Sequence, residues 1–239
     1  MTFANLDLQG LFAGFSWMAL AQVVVLDLLL GGDNAVVIAL ATRNLPKALR
    51  RRAVLLGVAG AIVARVAMLL LAVKLLDLPG LKLVGAALLL WIGSKLLLAG
   101  DEEAEVGSAA RFFSAVRTIV VADVVMSLDN VVAVAGAADG SAALAAVGVL
   151  LSIPVIVCGS QLILAAIARF RWLVAAGAAL LGWVAGGLAL GDPLLASWPQ
   201  LGQAPAHYLA CATCAVLVLG IGTLLRQRAL RPSVDGECQ

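Results

Sequence analysis

The sequence predicts an all-helical polytopic membrane protein: seven transmembrane helices, built as an inverted repeat of three plus three with one helix added. Three observations carry that expectation. The chain is 63% hydrophobic with a mean hydropathy of +1.09, far above the roughly 45–50% apolar usage of soluble domains. Several of its apolar runs approach or exceed the ~20 residues that cross a bilayer as helix. Two stretches, LDLLLGGDNAVVIALA from Leu26 and ADVVMSLDNVVAVAGA from Ala122, then repeat one acidic pattern, Asp, five residues, Asp-Asn.

The expected spans lie at about 14–42, 53–76, 80–99, 113–138, 141–168, 171–190 and 206–225, each bounded by Gly, Pro or charge. The first holds Asp27, Asp33 and Asn34; the segment before it, MTFANLDLQG, has no Lys or Arg, so it lacks a basic leader region and the first run is expected to be retained. The second carries Arg65, the one basic residue in mid-span. The third holds GAALLLWIG from Gly85 and is followed by an acidic linker, Gly100 to Arg111, expected to be solvated. The fourth holds Asp123, Asp129 and Asn130. In the fifth, Ser152, Pro154 and Ser160 suit either a kinked pathway-lining helix or plain helix packing. The sixth holds GAALLGWVAG from Gly177, an echo of the third, and stops at Gly191-Asp192-Pro193. The seventh carries His207, expected to face solvent, and Cys211 and Cys214, which read as two small apolar residues on one face sooner than as a thiol pair.

Charge orients these spans. Arg43, Lys47, Arg50, Arg51 and Arg52 follow the first; Arg111 and Arg117 follow the third; Arg169 and Arg171 follow the fifth; Arg226, Arg228 and Arg231 follow the seventh. The intervening links carry almost no basic residue. By the positive-inside rule the N-terminus is outside and the C-terminus cytoplasmic. Spans 1–3 (about 14–99) and 4–6 (about 113–190) then correspond, and three helices per unit force the copies to face opposite ways. The span at about 206–225 completes a single transmembrane domain over 1–225, and 226–239 is a cytoplasmic tail. No segment is basic, aromatic and long enough to bind nucleic acid.

An aspartate at the bilayer centre costs about 2.5–3.5 kcal/mol on insertion scales, so each one is a functional-site candidate. Inverted symmetry brings the two motifs together near the midplane. On regular helix Asp27 shares a face with Asn34, and Asp123 with Asn130, seven residues on; Asp33 and Asp129 converge only if the helix breaks. Gly31-Gly32 is one expected break and Ser127 a weaker counterpart. Four carboxylates, two amides and freed carbonyls form an all-oxygen set suited to Mn²⁺, Mg²⁺ or Ca²⁺. Arg65 is expected to compensate charge when no cation is bound. In a purely structural alternative the aspartates pair with Arg65 only to hold helices together.

With GGDNAVVIALA, SLDNVVAVAGAA, SIPVIVCGS and GAALLGWVAG, the chain resembles the TerC family of integral membrane proteins over about residues 15–225, and most closely its short YjbE-like branch. The resemblance implies kinship with the LysE-type exporter superfamily and a role in Mn²⁺ efflux across a bacterial inner membrane, with Asp27, Asp33, Asn34, Asp123, Asp129 and Asn130 as the metal site. Mn²⁺, or another hard divalent cation, is then cargo and no cofactor is expected; lipid and metal are the expected partners, and a homo-oligomer is compatible with the sequence. Two other classes compete. One is a non-transporting membrane partner in a secretion or metal-stress complex. The other is an intramembrane aspartyl protease, whose G-x-G-D pattern is missing because Leu30 stands where its first glycine belongs. The expectation is of a transporter, not an enzyme.

Overall fold

The structure, a computed structural model, describes residues 16–75, 78–98, 108–138, 142–195 and 204–229. These residues form helices α1 (Trp17–Leu30), α2 (Gly32–Thr42), α3 (Lys47–Leu75), α4 (Leu81–Leu98), α5 (Ser108–Ala137), α6 (Ala142–Arg169), α7 (Trp172–Leu190) and α8 (Ala204–Ala229), with a 3-10 turn at Pro193–Leu195 and no strand among them. The fold class is all-helical, as expected. Most of the acidic linker and the tail beyond residue 229 lie outside the described residues. Helices α4, α7 and most of α6 and α8 are long and apolar enough to cross a membrane, and α1 with α2, bent by 48° at their junction, makes a fifth candidate span. Helices α3 and α5 begin five or six residues before the expected starts, because KALRRR and SAAR are made largely of good helix formers.

The packing is reciprocal. Helix α1 lies on α6, α3 lies on α5, and α4 lies on α7, which also packs on α8. In the order of the expected spans, the first helix of each expected repeat thus rests on the second of the other, and the third helices pair. A central core of Val37, Leu40, Leu89, Ile92, Val125 and Leu181 fills the space between α2, α4, α5 and α7. Large apolar side chains such as Trp17, Val63, Leu162 and Val216 remain exposed, as expected of surfaces that meet lipid.

The two ends of the bundle differ in chemistry. At one, Arg43 donates to the Leu96 carbonyl (2.9 Å) and Arg50 donates to the carbonyls of Thr42, Arg43 and Leu45 (3.2, 3.0 and 3.0 Å). These arginines satisfy carbonyls that the ends of α2 and α4 leave open. At the other end, Asp192 is fully buried. Its carboxylate accepts from the backbone N–H of Gly80 (2.9 Å), Lys82 (3.0 Å), Leu83 (3.2 Å) and Leu194 (2.9 Å), capping α4 from the end of α7. Gly80 has φ +86°, a left-handed conformation that favours glycine.

Burial opposes the Asp192 charge, but hydrogen bonds from Leu194, Gly80, Leu83 and Lys82 outweigh it and hold this carboxyl below its ordinary pKa. A lowered folded-state pKa stabilises the protein above the unfolded value, near 3.9 for Asp, and that stabilisation is lost as pH falls through the folded value. Asp192→Ala is therefore expected to lower the thermal midpoint at neutral pH. The gap from wild type should narrow in melts below about pH 4; a gap independent of pH would contradict the assignment.

Glycines set the α7–α8 contact. A Cβ on Gly182 would lie 2.6 Å from the Ala215 Cα, and one on Gly186 would lie 2.6 Å from the Cys211 Cα. Small residues four apart let two helices approach this closely. Cys211 is buried and Cys214 half-buried, both as free thiols, so Cys211 serves as a small residue in this contact.

Candidate functional site

The site starts at the helix break. The Gly31 N–H donates to the Asp27 carbonyl (2.7 Å), and α2 restarts with the Asn34 N–H donating to the Gly31 carbonyl (3.1 Å). A Cβ on Gly31 would sit 2.6 Å from that Asp27 oxygen, whereas one on Gly32 would meet nothing within 4 Å. The break therefore rests on Gly31, not on both glycines. Gly31→Ala is expected to distort the junction and reduce function, by roughly 1–3 kcal/mol of overpacking, while Gly32→Ala is tolerated. Thermal melts and functional assay of the two variants side by side check this; equal effects would contradict it.

The counterpart expected at Ser127 does not break. Helix α5 runs continuously from Ser108 to Ala137. MSLDN has no glycine to leave the helical region, and Ser127 uses its side chain instead. Its Oγ donates to Asp123 Oδ2 (3.4 Å), one turn back, and accepts from Arg65 Nε (3.1 Å).

Arg65 joins the two halves. Its Nη1 donates to Asp27 Oδ1 at 2.5 Å and its Nη2 to Asp123 Oδ1 at 2.6 Å. The second Asp27 oxygen accepts from the Ser152 hydroxyl on α6. Asn34 Nδ2 donates to Asp123 Oδ1 at 3.1 Å. All of these side chains are buried, Arg65 at 6%, Asp27 at 2% and Asp123 at 9% exposure. Each motif's asparagine also reaches the other half: Asn34 to Asp123, and Asn130 Nδ2 to the Leu30 carbonyl (3.4 Å), freed at the break.

Asp27, Asn34, Arg65 and Asp123 line a cavity of about 40 Å³ whose other walls include Val58, Ile62, Ile119 and Ile156. A space of about 10–15 Å³ on this measure already holds one water, so the cavity has room for a small ion or a few waters. Asn34 Oδ1, on this lining, and Asp33 Oδ1, outside it, are buried without a hydrogen-bond partner. Buried polar atoms normally have a hydrogen-bond partner, so Asn34 Oδ1 offers an open acceptor to a ligand in the cavity.

Of the four carboxylates expected to converge, the described residues bring two together. Asp27 and Asp123 meet, with an arginine between them. Asp33, in the first turn of α2, is half-buried and does not line the cavity. Asn130 is also outside the lining, and the Asp129 side chain lies outside the described residues. Among the described residues, no group of three or more Asp, Glu, His or Cys gathers closely enough to hold a metal ion. Ser127 and Ser152 are the contributors that sequence reading assigned to other roles. The signal for Ser127 was its spacing, four residues after Asp123 on one helix face; Ser152 had only its polarity in an apolar run.

The sequence is similar to those of known membrane proteins. The family described as "Integral membrane protein TerC family" matches residues 12–230. The membrane protein YjbE of Bacillus subtilis is 42% identical over 202 residues, covering 84% of this chain and 93% of its own. The inner membrane protein YgdQ of Escherichia coli is 30% identical over 142 residues, 52% of this chain and 60% of its own. The membrane protein YceF of Bacillus subtilis is 29% identical over 128 residues, 49% of this chain and 50% of its own. No solved structure matches.

Proposed function

The chain belongs to the TerC family of integral membrane proteins, and from that premise we propose that it exports divalent metal cations, Mn²⁺ foremost, through the site where Asp27 and Asp123 meet. One observation carries the reading: two related acidic motifs, 96 residues apart, place one carboxylate each on a single buried arginine. A structural staple needs no cavity and no open acceptor; this site has a cavity, with Asn34 Oδ1 buried on its lining without a hydrogen-bond partner.

The donor set is all oxygen, from Asp27, Asp123, Asn34, Ser127 and Ser152, with Asp33 one residue away. Hard cations prefer such ligands, and zinc or copper would favour imidazole or thiolate. Arg65 occupies the place of a cation between the two carboxylates. Cargo entry therefore requires Arg65 to release at least one of them, and its return neutralises the site after the metal leaves. This exchange keeps the two buried carboxylates from being left bare, which buried charges tolerate poorly.

In this reading the basic end of the bundle faces the cytoplasm of a bacterial cell and the Asp192 end faces outward. The relative YgdQ carries an inner-membrane description, which supports the same location here. Exporting a divalent ion from a negative-inside cell costs about 4–5 kcal/mol per 100 mV. A coupling ion is needed, and protons exchanging on the same carboxylates supply one. The protease reading fits less well, because an arginine lies where a catalytic dyad would share a proton. Protein reconstituted in liposomes and offered Mn²⁺, Mg²⁺, Ca²⁺ and Zn²⁺, with and without a pH gradient, tests the assignment. Selective Mn²⁺ flux that rises with the gradient supports it, and no flux of any of the four refutes it.

A further inference from the structure

A second polar region lies at the basic end, apart from the aspartate site. It is a cleft of about 800 Å³ between the end of α2, the start of α3 and the α6–α7 corner, lined by Arg43, Asn44, Arg50, Gln161 and Arg171. Three of these are arginines, and none of the described residues lining the cleft is Asp or Glu. Its sign is wrong for a cation path. Two of the arginines are held in place: Arg50 by the three carbonyls it caps and Arg43 by the Leu96 carbonyl. Arg50 uses Nε and Nη2 on those carbonyls and turns its fixed positive charge and Nη1 to an anion at low entropy cost, while exposed Arg171 presents a guanidinium fork that matches phosphate oxygens.

The walls of the cleft are apolar, with Leu164 and Ala168 from α6 and Val174 from α7. Exposed Phe170 and Trp172 flank Arg171 at this corner, at 52% and 67% exposure. Exposed aromatics beside arginines mark the level of lipid headgroups on a membrane protein. Basic pockets between membrane helices at that level take anionic headgroups. An arginine-lined mouth with an apolar wall suits an amphiphile better than a free ion.

We propose that this cleft binds the phosphodiester headgroup of an anionic lipid, its glycerol and upper acyl chain against α6 and α7. The site is independent of the metal reading and is tested without metal. Full-length protein in detergent is titrated with phosphatidylglycerol, with phosphatidylcholine and with inorganic phosphate, and bound lipid is counted by native mass spectrometry alongside thermal melts. Wild type should retain one phosphatidylglycerol and melt higher with it, with no such gain from phosphatidylcholine or phosphate. Arg171→Gln, at an exposed position, should weaken that retention about five-fold, the effect of one basic residue at an anionic surface. Arg169→Gln removes the same charge two residues away, outside the cleft lining, and should leave retention unchanged. Equal retention of phosphatidylcholine, equal losses in the two variants, or a full thermal gain from inorganic phosphate alone would each overturn the proposal.

Discussion

Replacing Arg65 with alanine is expected to destabilise the folded protein by about 3–5 kcal/mol, the usual result of leaving a buried charge without its partner. Here the change strands two carboxylates at once, Asp27 and Asp123, and leaves Ser127 without its donor. Arg65→Lys should fall between, because a single ammonium cannot span both carboxylates and a hydroxyl as the planar guanidinium does. Two further results separate a staple from a cation site. Mn²⁺ should raise the melting temperature of Arg65→Ala more than that of wild type, since the cation no longer competes with the guanidinium and stabilises by mass action. Adding Asp27→Asn and Asp123→Asn to Arg65→Ala should recover stability and abolish the Mn²⁺ effect. Equal Mn²⁺ shifts in wild type and Arg65→Ala would show that Arg65 and metal do not share a site.

The second large effect concerns function. Asp27→Asn and Asp123→Asn each preserve shape and remove one charge, and Arg65 keeps the remaining carboxylate. The fold should therefore survive far better than in Arg65→Ala. Metal flux should not: a charge-assisted contact is worth up to about 3 kcal/mol, so losing one predicts roughly a 100-fold fall in flux at limiting metal. Ser152→Ala, which removes the hydroxyl on Asp27, should have a smaller effect of the same sign.

Part of this was legible in the residues. Carboxylates inside apolar runs are costly enough that Asp27 and Asp123 had to meet a partner, and Arg65 was the one mid-span cation available. Glycines at positions 31 and 32 announced a break because glycine leaves the helical region most readily; that the break rests on Gly31, where a side chain would collide with the Asp27 carbonyl, only the structure shows. The contacts of Ser152 were not legible. They join residues 125 positions apart and depend on how α6 is rotated about its axis, which an apolar sequence rich in Ala, Val and Leu leaves nearly free. Ser127 misled for a related reason. Its side chain competes for hydrogen bonds in ways that break some helices, but Asp123 and Arg65 claim it first. The arginine-lined cleft was visible only as scattered positive charge; folding brings Arg43, Arg50 and Arg171 to one place.

The central claim is that Asp27 and Asp123 together carry a divalent cation across the membrane. Its most direct test is Mn²⁺ flux into liposomes containing purified wild type, Asp27→Asn or Asp123→Asn, each first shown to be folded by its melting curve. The account predicts flux in wild type and roughly 100-fold less in either variant at limiting metal. Undiminished flux in both folded variants would contradict it.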